Sequence, residues 1–284
     1  MKHKIGMFAC AKNGRTYGEM LQLAKDMGFS MLELFQYDDL QVPDLDVAKA
    51  LAEKAAQLNM TFSCLSLGVN LMGEDVEAQI RRAKAYILVA EAAGAPWFHF
   101  TTFPVLSYDR RGVDRNKMIQ KLVPSIRELC DFAAEHQIGC VLEGQGYYVN
   151  GVEPLAQLLS AVDHENLGIV ADLGNTLCVD EAPEQFVGYF APIIRHVHVK
   201  DMVLRKLPDE PSQIPWIQTR GGSWLHRTEL GTGAVDLEKC LRILKAAGYQ
   251  GGYVIENSYL DRLEKAAQDL QYLEELLDKV YAAK

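Results

Sequence analysis

Arg195-His-Val-His-Val-Lys-Asp201 alternates polar and β-branched residues. That period of two marks a strand, with His196, His198 and Lys200 on one face and Val197 and Val199 on the other. Two imidazoles and an ammonium on one face of a buried strand cost free energy unless they are paired or bind something. One histidine in such a place reads first as a satisfied core residue. His-x-His-x-Lys at a strand end reads first as a binding edge, because histidine is so often a metal ligand.

Outward from this stretch, short apolar strands alternate with amphipathic helices along the chain. The strands upstream are Lys4–Phe8, Met31–Phe35, Thr61–Leu65, Trp97–Thr101, Gly139–Glu143 and Gly168–Asp172. The helices that follow them are Thr16–Met27, Leu45–Leu58, Asp75–Ala93, a helix from the cap Asp114 to about His136 with Pro124 inside it, Val152–Val162 and Pro183–Phe190. Ile194–Lys200 is the seventh strand; Asp236–Ala247, the eighth strand Gly252–Glu256 and the helix Asp261–Tyr281 complete the series. Gly28, Gly94 and Gly248 stand where helices stop. Eight strand-then-helix units predict an α/β fold, a (β/α)8 TIM barrel, as a single domain over residues 1–284. A doubly wound sheet is the alternative, but no G-x-G-x-x-G follows the first strand. The rhythm breaks at 202–228, which holds Pro208, Pro211, Pro215, Trp216, Gly221, Gly222 and Trp224. It is predicted as a long irregular loop of the lid kind.

Composition narrows the function classes. Hydrophobic content of 49% and charged content of 24% are those of an ordinary globular protein. A net charge of −9 disfavours a general nucleic-acid binder. The six cysteines form no C-x-x-C pair, and Lys12 and Arg15 end the apolar run near the N-terminus too early for a secretory signal. Both features predict reduced thiols and a cytoplasmic protein. The apolar region from Ala85 to Tyr108 is interrupted by Glu91, Gly94 and Pro96 and does not read as a membrane span.

Barrel enzymes carry their chemistry at the C-terminal ends of the strands. Here four consecutive strands end in Glu143, Asp172, His198 and Glu256. One strand-end carboxylate is as easily a helix cap as a ligand, but three converging carboxylates repel one another unless a cation joins them. Three carboxylates and an imidazole suit Mn²⁺ or Mg²⁺ first, with Co²⁺ or Zn²⁺ as the other choices. Glu33 and His99 also point inward. Arg205, Lys206, Arg220, Arg227 and His226 cluster around 202–228, either as an anion contact or as a solvated loop surface. Trp216 and Trp224 are either an apolar wall over a ligand or packing for the loop. His3, His136 and His164 read as surface residues.

These residues carry a resemblance. Val141-Leu-Glu143, Ala171-Asp172-Leu-Gly-Asn175, His196-Val-His198-Val-Lys200-Asp201, Glu229-Leu-Gly-Thr-Gly233 and Gly251-Gly-Tyr-Val-Ile-Glu256 resemble the sugar phosphate isomerase/epimerase superfamily with the xylose isomerase-like barrel. That group includes ketose 3-epimerases, inosose dehydratases and dehydroshikimate dehydratases. The resemblance implies a divalent metal ion held by Glu143, Asp172, His198 and Glu256, with Glu143 and Glu256 also the acid/base pair. His196, Lys200, Asn175, Glu229 and Arg205 are the candidates for holding substrate. Structural alternatives are a Lys200 paired with Glu229 or Asp201, and a His196 that orients a ligand. Asn175 stands where the ketose epimerases carry a histidine. The expected function is an isomerase or epimerase of a ketose, ketose phosphate or keto-polyol working through an enediolate. A metal-dependent dehydratase (lyase) is the alternative, and an endonuclease IV-like repair enzyme comes third. The expected partners are a small carbohydrate or cyclitol, with no nucleic acid and no membrane; a homo-oligomer stays open.

Overall fold

Every strand and helix of that series forms within a residue or two of its expected place. The computed structural model describes residues 3–8, 14–103, 114–208, 215–256 and 263–282. The barrel strands are β1 (Ile5–Phe8), β2 (Met31–Phe35), β3 (Thr61–Leu67), β4 (Trp97–Phe100), β5 (Gly139–Glu143), β6 (Leu167–Asp172), β7 (Ile194–Val199) and β11 (Tyr253–Ile255). The helices are α1 (Tyr17–Met27), α2 (Leu45–Gln57), α3 (Val76–Ala93), α4 (Arg115–Glu135), α5 (Val152–Val162), α6 (Pro183–Phe190), α7 (Leu237–Ala246) and α8 (Leu263–Ala282). Thr16, Asp75 and Asp236 are caps outside their helices, their side chains accepting backbone N–H groups of the first turn. The start of the last expected helix, Asp261, lies outside the described residues.

The barrel closes in the order β1-β11-β7-β6-β5-β4-β3-β2. All eight pairings are parallel. Outward strand faces and inward helix faces make one large apolar layer, with Leu21, Leu34, Phe98, Leu142, Val197 and Leu273 among its members. Two smaller clusters, Cys64 with Val141 and Val170, and Phe8 with Met31 and Val254, have the opposite strand parity and fill the barrel interior. Five of these six residues stand two positions before a polar one: Met31 before Glu33, Cys64 before Ser66, Val141 before Glu143, Val170 before Asp172, Val254 before Glu256. The apolar plug thus forms a floor, and the next inward position on each strand supports a polar group above it. Cys64, Cys130, Cys140, Cys178 and Cys240 are free and buried. No described helix is long and apolar enough to cross a membrane.

The region 202–228 differs from the irregular loop expected of it. Strands β8 (Asp201–Arg205), β9 (Ile217–Gln218) and β10 (Trp224–Thr228) form an antiparallel sheet in the order β8-β10-β9. Pro208, Pro215, Gly221 and Gly222 fall between the strands, which hid the short alternating runs. Leu225 packs against Cys178 and Met202. Asp201 latches the base of this sheet by accepting the N–H groups of Met202 (2.8 Å), Gly231 (3.0 Å), Gly233 (2.8 Å) and Val235 (3.1 Å). A Cβ at Gly233 would lie 2.1 Å from Asp201 Oδ1, so only glycine fits beside the latch. Asp180 holds the turn between β9 and β10, accepting from Thr219 Oγ1 at 2.7 Å and the Gly221 N–H at 2.6 Å. Tyr147 donates from its hydroxyl to the Gln218 carbonyl, which ties the loop after β5 to the same sheet.

Candidate metal centre

Parity brings Glu143 from β5, Asp172 from β6 and His198 from β7 to one end of the barrel, together with Glu256, the residue after β11. His198 Nδ1 lies 3.1 Å from a carboxylate oxygen of Glu143, 3.1 Å from one of Glu256 and 3.9 Å from Asp172 Oδ2. One donor atom from each of the four falls within 4.8 Å of the others, and all four residues are buried. Asp172 Oδ1 accepts the backbone N–H groups of Gly174 at 2.8 Å and Asn175 at 2.9 Å, which leaves Oδ2 facing the cluster. Lys200 Nζ sits 2.6 Å from that Oδ2 and 3.0 Å from Glu256 Oε2.

The charges are unevenly satisfied. Burial works against the Glu143 carboxylate, yet His99 and His198 pull its pKa down to about 2. Glu256 is likewise held well below the usual range, against burial, by Lys200, His198 and Arg227. Asp172 goes the other way. Burial, with the neighbouring Glu256 and Glu143 charges, pushes it up to about 7 despite the Lys200 ammonium. His198 is raised well above an ordinary histidine, burial notwithstanding, by Glu33 and by hydrogen bonds to Glu143 and Glu256. Two carboxylates 3.1 Å from one ring nitrogen need a proton or a cation between them. Hard oxygen donors with one imidazole fit a divalent cation, which would relieve the excess of carboxylate that Asp172 registers.

Other expected site residues are placed differently. Lys200 pairs with neither Asp201 nor Glu229, because the strand alternation carries it inward with His196 and His198. Asp201 is the latch described above. Glu229 is held by Lys265 at 2.5 Å and by the Thr228 hydroxyl at 3.2 Å, and is not brought to the cluster. Arg205 lies exposed on β8, its guanidinium 3.3 Å from the Leu204 carbonyl. Asn175 is adjacent to the cluster; its amide donates to the Gly144 carbonyl at 3.1 Å and accepts from Lys200 at 3.3 Å. His196 is not one of the four ligands; it meets Glu33 at 2.6 Å and packs edge-on against His198. Arg227, read as one of a loop group, reaches Glu256 at 3.3 Å. Glu33 and His99 do reach the centre. Ser66, which bonds both, passed unnoticed; its place two residues after the interior Cys64 was the available signal. His3, His136 and His164 each meet an acid at 3.0 Å away from the centre.

A sequence profile described as xylose isomerase-like TIM barrel matches residues 21–276. The chain belongs to this family. Among curated proteins it is 26% identical over 163 residues to an inosose dehydratase of Clostridium botulinum, covering 54% of this chain and 53% of that one. The chain spans about half the length of the curated inosose dehydratases it matches. It is 24% identical over 256 residues to an L-ribulose-5-phosphate 3-epimerase of Salmonella paratyphi A, covering 86% of this chain and 82% of that one. A xylose isomerase-like TIM barrel protein of Mycobacterium smegmatis, solved in complex with magnesium, superposes with a TM-score of 0.73 at 19% identity, over 95% of this chain and 90% of that one. The family members matched here as curated relatives are enzymes acting on sugar phosphates or cyclitols.

Proposed function

We propose that this protein is a divalent-metal-dependent epimerase or isomerase of a ketose or ketose phosphate, with Glu143 and Glu256 as its acid/base pair. The supporting observation is that Glu143 and Glu256, from β5 and the residue after β11, both approach the same His198 nitrogen at 3.1 Å. Mn²⁺ or Mg²⁺ suits the donor set. When bound, such an ion supplies Lewis-acid polarisation of a ketone oxygen and a neighbouring hydroxyl.

The rest belongs to the chain's own residues. One glutamate, ionised, removes the proton from the carbon beside the carbonyl, and the other, which must enter the step protonated, gives its own proton to the opposite face. That inverts the carbon; return to the neighbouring carbon isomerises instead. Lys200 and Arg227 keep Glu256 charged until it acts. The long match to a ketose-phosphate epimerase favours this reading. The inosose dehydratase relatives favour a second, in which the same proton removal is followed by loss of a β-hydroxyl. The buried free cysteines suit a cytoplasmic setting.

The test is exchange in D₂O with Mn²⁺ and a panel of ketoses, ketose phosphates, inososes and dehydroshikimate, followed by NMR. Deuterium beside the carbonyl, with a new epimer or isomer, supports the first reading. Water loss to an enone supports the second. No exchange on any member, with cleavage of abasic DNA, overturns both.

A further inference from the structure

Neither glutamate of the acid/base pair explains a third one. Glu33 is 0% exposed, and its ion-pair partners among the described residues are two imidazoles, those of His196 and His198. Its oxygens receive the Ser66 hydroxyl at 2.5 Å, His196 Nε2 at 2.6 Å and His198 Nε2 at 3.1 and 3.2 Å. A carboxylate has no proton to give at any of these contacts, so each partner must donate.

The consequences can be followed atom by atom. His198 donates from Nε2, so Nδ1 is the nitrogen it can offer to a cation, and Nδ1 is the one facing Glu143 and Glu256. Ser66 spends its single hydrogen on Glu33, so its oxygen must accept from His99 Nδ1, 2.7 Å away. His99 is then protonated on Nδ1, and its Nε2, which has no hydrogen-bond partner, faces Glu143 at 3.6 Å. His196 braces the far side of the carboxylate, its ring edge-on to His198 with centroids 4.9 Å apart. The contacts close into a circuit: Glu33, Ser66, His99, Glu143, His198 and Glu33 again.

We propose that Glu33 is the positioning residue of this centre, fixing by its hydrogen bonds which nitrogen of His198 faces the cation site and, through Ser66, which nitrogen of His99 faces Glu143. The proposal rests on the metal-centre reading above. Glu33, His196 and His198 also lie close enough to hold an ion of their own. Contacts of 2.5 and 2.6 Å to a hydroxyl and a ring nitrogen instead mark the Glu33 oxygens as hydrogen-bond acceptors already engaged. Carboxylate partners of ligating histidines typically change metal affinity 10- to 100-fold when removed.

The experiment uses the full chain and three forms of it. In Mg²⁺-loaded wild type with ¹⁵N-labelled histidine, the ring shifts are expected to show His198 protonated on Nε2 and His99 protonated on Nδ1. In Glu33→Gln, Mn²⁺ binding followed by electron paramagnetic resonance is expected to weaken about 10- to 100-fold, with an altered Co²⁺ visible spectrum. Ser66→Ala, which removes the arm to His99 and one bond to Glu33 but leaves both imidazole contacts of Glu33, is expected to keep Mn²⁺ affinity within about threefold of wild type while His99 loses its single tautomer. Wild type that binds no Mn²⁺ removes the metal-centre reading itself. Wild type that binds Mn²⁺ but shows the opposite tautomers overturns the role of Glu33 even if Glu33→Gln does not fold. So does a folded Glu33→Gln with unchanged affinity, or two tightly bound Mn²⁺ per chain.

Discussion

Arg227 lies 3.3 Å from Glu256, although one belongs to the small antiparallel sheet and the other to the barrel. The accessory sheet therefore supplies a charge to the centre. Removing a hydrogen bond to a charged group costs about 1.5–3 kcal/mol. Arg227→Met is expected to lower kcat/KM roughly 10- to 100-fold on whichever substrate exchanges in D₂O. An unchanged value would make the contact a mere tether of the sheet.

Glu143→Gln and Glu256→Gln keep shape and lose the proton-transfer group. Each is expected to reduce kcat by about 10²- to 10⁴-fold at saturating Mn²⁺, with a cooperative thermal melt retained. Deuterium wash-in separates the roles. The variant lacking the removing base should exchange nothing, whereas the variant lacking the returning acid should still label the substrate without inverting it.

Asp172 gives the metal-free protein a pH signature. Its pKa rises from 3.8 unfolded to about 7 folded, so the folded chain holds the extra proton between those values. This contribution to stability is complete below the unfolded value and is lost as pH rises through about 7. In EDTA, Asp172→Asn should therefore melt progressively higher relative to wild type as the pH is raised from about 5 to about 8. In saturating Mn²⁺ at the higher pH the order should reverse, because wild type gains the ion and the variant loses a ligand. A melting difference independent of pH in EDTA would contradict the shift.

Asp201 accepts four backbone donors, so its loss is felt at the base of the small sheet, where β8 begins and β10 ends. Asp201→Ala is expected to cost about 3 kcal/mol in urea unfolding, the upper range for hydrogen bonds to a buried charge. Amide exchange should accelerate first at Gly231, Gly233 and Val235. Uniform protection across these amides would mean that β10 is held by its strand pairing alone.

Much of this was legible before any coordinates. The barrel followed from eight apolar runs separated by capped helices. The four ligands followed from parity, since each stands two residues beyond an interior apolar side chain or on the polar face of β7. Partner choice was less legible. For Lys200 the sequence left a substrate contact and a structural pairing with Asp201 or Glu229 both open; its ion pairs are instead with Asp172 and Glu256, because the strand direction continues past Val199. Strand parity says which way a side chain points but not which of several inward carboxylates it meets, and that choice rests on barrel register. Glu33 and Ser66 illustrate the same limit: an inward glutamate on β2 and a serine on β3 become one hydrogen-bond chain only once the barrel is closed. The sheet at 201–228 was hidden because its pairing is carried by backbone groups in runs of two to five residues.

The three-residue strand β11 lies between β1 and β7, where the beginning of the chain meets its end. Glu256 follows that strand directly, while its fellow ligands come from β5, β6 and β7. An ion shared among them would act as a clasp on the last staves of the cylinder, because a chain that has not yet laid down its final strand offers it only three hooks. Demetallation would then be felt first along the seam joining the two ends of the polypeptide, some distance in sequence from most of the residues that do the gripping.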